Sequence, residues 1–523
     1  MPKTVRPWDR SWAMAEDIVL HDLIGMTARQ DPARAAVVIG SSPKSYEELN
    51  ADVMRLARWM ARHGIGYGST VAFHTVEHYF HRVALLATLA LRAESVTMIP
   101  AQFERIAAIC PLTHVVSQNG KLPASLRPEC RLLLTDDTIF SGPPPNSEEL
   151  GGLEIRDTDP VRIFMSSGTT GAPKAIRVDA GLLRARMREN AARYEIEPTS
   201  RTYTALGPST NLGFVIPLAT WWRGGTVVLP GGAARKDASN AVKNATHIFN
   251  SPSGLRRILD ALPSNYKGRT APACFIGGDL LPSALRDEAK TKLGAVMHVV
   301  YGATEISGGC AGNADITDTH PGAVGWPRPG AIVDIVDESG SPVPSGTEGL
   351  VRMKTNTMVT GYLGVTGYLG VTGYLGSPGA NTEEFQNGWF YTGDRGFLRH
   401  DGALVVTGRA VETLNISGTK VAPATVESDV LRIDGIMDAC AMVLQGPDGL
   451  PCLTVAIAAK SDADWKVLAK SVSNALARFR AVRVVAVSDI PRNAMGKIAR
   501  AEFAEWVRGK LAKEAQIPGA TSS

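Results

Sequence analysis

Short apolar runs bounded by glycine, proline and polar residues recur along most of the chain, with longer amphipathic stretches between them. Val71-Ala-Phe-His74, Val115-Val116, Arg131-Leu-Leu-Leu134 and Ile163-Phe-Met165 are too short for helices and read as buried strands. Ser45-Tyr-Glu-Glu-Leu49 carries a helix start, with Ser45 as N-cap and Glu48 placed to close a capping box. The helix it opens runs through Leu56, Trp59 and Met60 towards His63-Gly64, and the apolar 82–91 segment reads as a second, buried helix. Thr226-Val-Val-Leu229, His247-Ile-Phe249, Cys274-Phe-Ile276 and Met297-His-Val-Val300 continue the series, each followed by a glycine- or proline-rich turn. Strands alternating with helices predict an α/β fold with a largely parallel sheet, in which ligands collect at the carboxyl ends of strands. The turns after Met165, Ile276 and Val300 are therefore the places to look.

From about 320 the texture changes to short β-rich pieces, Ala331-Ile-Val-Asp-Ile-Val336 and Gly349-Leu-Val-Arg-Met353, which predict an antiparallel, barrel-like subdomain. After Thr407-Gly-Arg409 it shifts again, to strands at 439–443 and 453–457 and a helix near 464–478, a compact α+β unit. Two domains are expected, residues 1–408 and 409–523, with motion between them. Between these regions Val359-Thr-Gly-Tyr-Leu-Gly364 is repeated without change at 365–370 and 371–376. Three copies of six residues are too few for a solenoid. They read either as a tolerated loop extension or as an insertion that tunes or abolishes activity by displacing the Tyr391–Asp394 stretch.

Composition narrows the class. The 523 residues are 44% hydrophobic and 20% charged, ordinary for globular domains, and too many for one core. A net charge of +4 gives no case for a nucleic-acid partner. Cysteines at 110, 130, 274, 310, 440 and 452 form no CxxC pair, which argues against a zinc site or a disulfide framework and fits a reducing cytoplasm. The polar N-terminus lacks a signal-peptide core, and Val83–Leu91 is too short to span a bilayer, so a cytoplasmic location is expected.

The chemistry is concentrated in five stretches. Ser166-Ser-Gly-Thr-Thr-Gly-Ala-Pro-Lys174 packs hydroxyls, glycines and a lysine into one loop, a composition suited to cradling polyphosphate, although a bland turn shares it. Its lysine is followed by alanine, so it is not the Walker pattern. Val300-Tyr-Gly-Ala-Thr-Glu305 places an aromatic, a hydroxyl and a carboxylate at a strand end. Tyr391-Thr-Gly-Asp394 offers a carboxylate suited to vicinal hydroxyls. Gly408–Gly418 lies at the domain shift, and Pro491-Arg-Asn-Ala-Met-Gly-Lys497 frames one lysine near the C-terminus.

In order and spacing these stretches resemble the adenylate-forming superfamily of AMP-forming acyl-CoA synthetases, adenylation domains and luciferases, over roughly residues 20 to 510. The resemblance implies ATP and Mg2+ as cofactors, with CoA or a phosphopantetheine thiol as acceptor. It implies a large N-terminal domain of two α/β subdomains plus the barrel-like one, and a small mobile C-terminal domain. Ser166, Thr169, Thr170, Gly171 and Lys174 would hold the β- and γ-phosphates, Thr304 the α-phosphate and Glu305 the metal. Tyr301 and Gly302 would lie against adenine, with Gly277, Gly278 and Asp279 on its other side. Asp394, supported by Arg409, would take the ribose hydroxyls, and Lys497 would bridge carboxylate and α-phosphate. Ser417 and Gly418 would face the thiol tunnel, and Val411 occupies the hinge position where the family has a charged residue. Phosphoryl chemistry of this kind needs charge neutralisation and in-line positioning more than an acid–base pair.

The acid pocket is expected at Thr210, Asn211, Phe214, Ala303, Ile306, Ser307 and Gly309. Amino-acid-activating relatives place an aspartate where Asn211 stands, so a buried α-ammonium would lack its counter-charge. Acetate-activating relatives have tryptophan at Gly302, and glycine there would leave room for a larger acid. No lysine or arginine is evident in the pocket. The expected substrate is an apolar aliphatic or aryl acid larger than propionate, and the expected product its CoA ester. An adenylating ligase that loads an acyl carrier protein or an amine is the alternative, an inactive member a third reading, and a homodimer stays open. Lys497→Ala should nearly abolish adenylation while sparing thioester formation from a supplied acyl-adenylate. Lys174→Ala should chiefly raise the KM for ATP, as separate assays of the two half-reactions would show.

Overall fold

The computed structural model describes residues 17–75, 77–98, 103–118, 126, 129–141, 154–166, 174–231, 241–268, 270–363, 384–409, 414–416, 419–421, 423–445, 451–461, 463–477, 479, 482–492 and 498–515. Its first sheet has six strands in the spatial order Arg131–Leu134, His114–Ser117, Thr70–His74, Glu94–Thr97, Pro160–Ser166 and Lys174–Asp179. Neighbours run parallel except the last two, whose antiparallel register pairs Ser166 with Lys174 at the ends of the Ser/Thr/Gly stretch.

The second sheet carries the four expected parallel strands together with two not expected, Ala35–Ile39 and Arg201–Thr204, in the order Ala35–Ile39, Thr226–Leu229, Arg201–Thr204, His247–Asn250, Ala273–Gly277 and Val296–Tyr301. Cys310–Asn313 adds to the last of these antiparallel, and Ala323–Pro327, Leu404–Arg409, Trp389–Leu398, Gly349–Thr355 and Ala331–Val336 follow, each antiparallel to its neighbour. The antiparallel unit therefore continues the parallel sheet from the strand that ends at Tyr301. The capping box at Ser45 forms as expected: Ser45 Oγ accepts from Glu48 N at 3.1 Å and Ser45 N donates to Glu48 Oε2 at 2.7 Å.

Two predominantly apolar helices are buried along most of their length, His78–Ala90 and Asn211–Trp222. Burying them brings charge along. Arg82 and Arg162 are at most 2% exposed, and both reach the turn that opens the second helix. Arg82 donates to the carbonyls of Gly213 and, at 3.2 Å, Leu206; Arg162 donates to Pro208 O at 2.7 Å and Thr97 Oγ1 at 2.6 Å. Buried guanidinium groups are tolerated where carbonyls replace their water, and these two tie the Leu206–Gly213 turn to the helix His78–Ala90, through Arg82, and to the first sheet, through Arg162.

After Arg409 the described chain builds its own packing. Ile436–Gln445, Pro451–Ala459 and Val482–Ala486 form a three-stranded sheet with Pro423–Val430, Trp465–Ala475 and Arg500–Ala515 against it. One face buries Val426, Leu453, Val455 and Val472, the other Met442, Ala456, Phe503 and Val507. Among the described residues no helix is long and apolar enough to cross a membrane.

His81 is fully enclosed, its Nε2 3.1 Å from Thr97 Oγ1. Burial first, then the charges of Arg162, Arg82 and His78, hold its pKa well below the ordinary histidine value of about 6.5. The folded state keeps it neutral, whereas the unfolded chain protonates it near that value. Between the two values the unfolded state binds more protons, so this stability is present above about pH 6.5 and is lost as pH falls below it. His78, His247 and His298 are lowered in the same sense. The urea midpoint should therefore fall as pH drops from roughly 7.5 to roughly 5.5, and His81→Gln should flatten that fall.

Candidate functional site

The strand Val296–Tyr301 ends in a turn that folds back on itself. Ile306 N and Ser307 N donate to Ala303 O at 3.2 and 3.0 Å, and Gly309 N returns to Tyr301 O at 2.8 Å. Closing so tight a loop forces Ser307 to φ +60° and Gly308 to +126°. It also packs Gly302 directly on Gly308: a Cβ at Gly302 would lie 2.4 Å from Gly308 Cα. The room expected at Gly302 is thus filled by backbone. The glycine serves the turn, and its lack of a side chain is no measure of acid size.

Behind this turn lies Arg186, fully buried on the helix Ala180–Arg193. Its Nε donates to Thr357 O at 3.2 Å and its Nη1 to Asn211 Oδ1 at 2.9 Å. Its Nη2 donates to the carbonyls of Thr304 at 3.1 Å, Glu305 at 3.3 Å and Thr357 at 3.1 Å. Burial pushes its pKa down to about 10, with Glu305 and Asp179 opposing the shift. Asn211 Nδ2 donates in turn to Ser307 Oγ at 3.1 Å. The pocket expected to be without a cation therefore has one at its wall, with its donors spent on protein acceptors.

Of the other pocket positions, Thr210 is the N-cap of the helix Asn211–Trp222, accepting from Gly213 N at 3.0 Å. Phe214 packs edge-on to Phe164 at 5.5 Å and under Arg162 at 4.9 Å, which makes it core. Ile306 is fully buried, and Gly309 faces Met353, whose Cε is 2.5 Å from where a Cβ would stand. Ala303 packs partly buried against the main core. Asn211, Ser307 and Thr304 are brought together; Phe214 and Ile306 support them from within the core.

Glu305 is buried, and Tyr362 Oη donates to its Oε1 at 3.0 Å. The Tyr362 ring lies 4.8 Å from Lys174 Nζ, and that ammonium is ion-paired with Glu384. Burial, then Glu305 and Glu384, raise the Tyr362 pKa, so its hydroxyl stays a donor. Lys174, expected to face phosphate, is thus held by a carboxylate. Among the described residues no three or more His, Cys, Asp or Glu side chains converge on a metal position. One buried carboxylate fits Mg2+, which keeps water and substrate phosphate as its other ligands.

A third cluster lies at the other end of the same strand–turn. Register places Asp394 opposite Arg409, with Arg409 Nε 3.0 Å from Asp394 Oδ1. Tyr301 Oη donates to Asp394 Oδ2 at 2.5 Å, and Asp394 N donates to Thr392 Oγ1 at 3.1 Å. Burial and Asp394 push the Tyr301 hydroxyl pKa well up. A carboxylate has about four acceptor positions, so Asp394 keeps capacity beyond these two donors.

Gly277 touches the neighbouring strand so closely that a Cβ would meet Val300 O at 2.6 Å, and Gly278 takes φ +90°. Asp279 is occupied: its Oδ2 lies 2.7 Å from Arg492 Nη1, while Arg492 Nη2 lies 2.9 Å from both oxygens of Asp438. Arg492 also bridges Ile498, closing the base of the stretch that carries Lys497. The side chain of Ser166, and Thr169, Thr170, Gly171, Val411, Ser417, Gly418 and Lys497, lie outside the described residues. A cavity of about 310 Å3 lined by Arg177, Asp179, Leu182, Met358, Val359 and Tyr362 adjoins the Glu305 cluster but contains no acid-pocket position.

Sequence reasoning missed Arg186, Tyr362, Glu384 and Arg492. Arg186 sits among Arg184 and Arg188 with no local mark, and only its helical phase beside the buried Leu183 and Met187 set it apart. Tyr362 was visible solely as one of three identical tyrosines.

Known proteins share the family and the fold of this chain. The family model described as "AMP-binding enzyme" matches residues 25–363. The chain is 26% identical to "Probable CoA ligase CCL9" of Humulus lupulus, over 97% of this chain and 99% of that protein. It is 25% identical to "Probable non-canonical nonribosomal peptide synthetase (NRPS) CymA" of Salinispora arenicola over 98% of its own length, but spans only 6% of CymA. Among solved structures, O-succinylbenzoate Coenzyme A Synthetase (MenE) from Bacillus subtilis, in complex with ATP and magnesium ion, superposes with a TM-score of 0.77 at 19% identity, over 92% of this chain and 99% of that one. At that identity the likeness is one of fold.

Because one planar fork serves four separate acceptors, lysine cannot replace Arg186. Arg186→Lys and Arg186→Met should each cost about 2–4 kcal/mol of stability by urea unfolding, since the carbonyls of Thr304, Glu305 and Thr357 would be left buried and unpaired.

Proposed function

The chain belongs to the adenylate-forming family of AMP-binding enzymes, and on that premise we propose that it activates an apolar carboxylic acid and passes the acyl group to the thiol of CoA. The acid is aliphatic or aryl, and with Gly302 spent on the turn its size is left to the substrate panel. What supports this reading is that the strand–turn Val296–Gly309 carries a metal-ready glutamate, Glu305, and is joined there by groups from two distant stretches, a ribose-side aspartate through Tyr301 and a phosphate-side lysine through Tyr362. In the first step a carboxylate oxygen of the acid attacks the α-phosphorus of ATP, and pyrophosphate leaves with the electrons of the broken bond. In the second the thiol sulfur attacks the acyl carbon and AMP leaves.

Each residue has a place in that scheme. Lys174 and the loop of Ser166, Thr169, Thr170 and Gly171 hold the leaving pyrophosphate, with phosphate taking over from Glu384 as the partner of the lysine. Thr304 would reach the α-phosphate, and Glu305 would hold Mg2+, which when bound would neutralise phosphate charge. Tyr301, Gly302 and the Gly277–Asp279 turn flank adenine, and Asp394 with Arg409 takes the ribose. Residues 409–523 form a second domain that brings Lys497 to the reacting carboxylate, turns about Val411 and passes the thiol by Ser417 and Gly418. A cytoplasmic setting agrees with six scattered cysteines that form no CxxC pair.

Asn211 argues against α-amino acids more strongly than its neutrality alone. Its amide oxygen already accepts from Arg186, so a substrate ammonium there would meet a like charge. A second acceptor is favoured by one observation: the match to the peptide synthetase CymA runs along 98% of this chain, and a carrier phosphopantetheine presents the same thiol arm as CoA.

Pyrophosphate release should be measured over a panel of aliphatic, aryl and α-amino acids, each with ATP and either CoA or a phosphopantetheinylated carrier. Release with apolar acids and not with α-amino acids, followed by CoA ester formation, is the expected result. Thioester on the carrier alone would favour the second acceptor, and release with amino acids alone would overturn the choice of substrate.

A further inference from the structure

Of the hexapeptide that occurs three times in the sequence, residues 359–363 of the first copy lie in the described structure, and they are built into the site. Val359 N donates to Glu305 O at 2.9 Å, and Leu363 N donates to Ala175 O at 2.7 Å, so the first copy is stitched at one end to the metal-side turn and at the other to the residue after Lys174. Between the stitches the buried Tyr362 places its hydroxyl 3.0 Å from Glu305 Oε1 and its ring 4.8 Å from the Lys174 ammonium. Phe385, beside Glu384, packs edge-on against the same ring at 5.2 Å. One side chain therefore touches both charged groups that would flank the phosphates.

We propose that Tyr362 is a positioning residue for nucleotide activation, and that of the three identical tyrosines it alone fills this place; the inference rests on the reading of the site as one for ATP and Mg2+. Its hydroxyl occupies Glu305 Oε1, which orients the carboxylate so that Oε2 is the oxygen offered to a cation, as partners beyond the direct ligands do for metal sites generally. Its ring face attracts the Lys174 ammonium, which holds the lysine beside Glu305 whether Glu384 or phosphate is its anionic partner.

The choice of copy follows from the chain on the N-terminal side. Thr357 is fully buried, its carbonyl accepts from Arg186 at 3.1 Å, its hydroxyl donates to Ile306 O at 3.1 Å, and Arg328 donates to that hydroxyl. Only Met358 separates this anchor from Val359. For Tyr368 or Tyr374 to take the place of Tyr362, one or two whole copies would have to be looped out between Thr357 and Glu305. That carries a loop-closure cost and gains no contact, because the incoming residues are identical.

Deleting a copy cannot test this, since removal of any one of the three leaves the same sequence. Single substitutions can. Tyr362→Phe, Tyr368→Phe and Tyr374→Phe should be made in the full chain, together with Tyr362→Leu. The Mg2+ concentration needed for ATP to raise the melting temperature is read for each, beside kcat and the KM for ATP in pyrophosphate exchange. Melting without ligand checks folding, and phenylalanine keeps the ring that packs on Phe385.

Tyr362→Phe should raise the Mg2+ requirement by on the order of 10-fold while leaving the KM for ATP at saturating Mg2+ near that of the parent. Tyr362→Leu should raise that KM as well, and the other two phenylalanine variants should match the parent chain. A Tyr362→Phe protein with unchanged Mg2+ requirement, or three single variants with equal effects, would overturn the inference. A parent chain that ATP and Mg2+ do not stabilise would overturn the nucleotide reading itself, which keeps the two failures apart.

Discussion

A single buried guanidinium holds the centre of this molecule together. Arg186 binds Thr304 and Glu305 of the turn after Tyr301, Thr357 of the chain entering the hexapeptide, and Asn211 at the start of a buried helix. Water is excluded there, so a lost bond is not replaced, and the cation and its acceptors constrain one another. The helix that carries it, Ala180–Arg193, follows directly on the strand Lys174–Asp179. The same element therefore sets the Lys174 hairpin and the Thr304–Glu305 turn relative to each other. An enzyme that must hold both ends of a triphosphate needs that relation to be rigid.

Three of the described charged groups assigned to the nucleotide share a second property: they are already paired within the protein. Lys174 has Glu384, Asp394 has Arg409 and the Tyr301 hydroxyl, and Asp279 has Arg492. An unpaired charge in a half-buried cleft is costly, and a protein counter-ion removes that cost before a ligand arrives. Binding then exchanges one partner for another, so specificity arises from which partner each group can release. The Arg492 pair joins the turn after the strand Ala273–Gly277, through Asp279, to the strand Ile436–Gln445 of the three-stranded sheet, through Asp438.

Much of the architecture was legible from local pattern. The capping box at Ser45 formed because its two bonds need only residues three apart. The strands at 226–229, 247–250, 273–277 and 296–301 formed where short apolar runs stood between turns. The turn at Tyr301–Glu305 was legible as a cluster of polar groups where a strand pattern ends, whereas the association of Asp394 with Arg409 was implied only by the family resemblance. The room at Gly302 was misjudged, because the Gly308 backbone that fills it comes close only when the chain reverses.

Sequence by itself determined the α/β class, the phosphate-type composition of the 166–174 loop, and the carboxylates and lysines available for chemistry, since these depend on residue type and spacing within one element. Tertiary structure alone decided which of three adjacent helical arginines is buried, which of three identical tyrosines reaches Glu305, and which acid neutralises Lys174. Those choices depend on contacts between residues far apart in the chain, 118 positions for Arg186 to Thr304 and 210 for Lys174 to Glu384, and no local pattern records them.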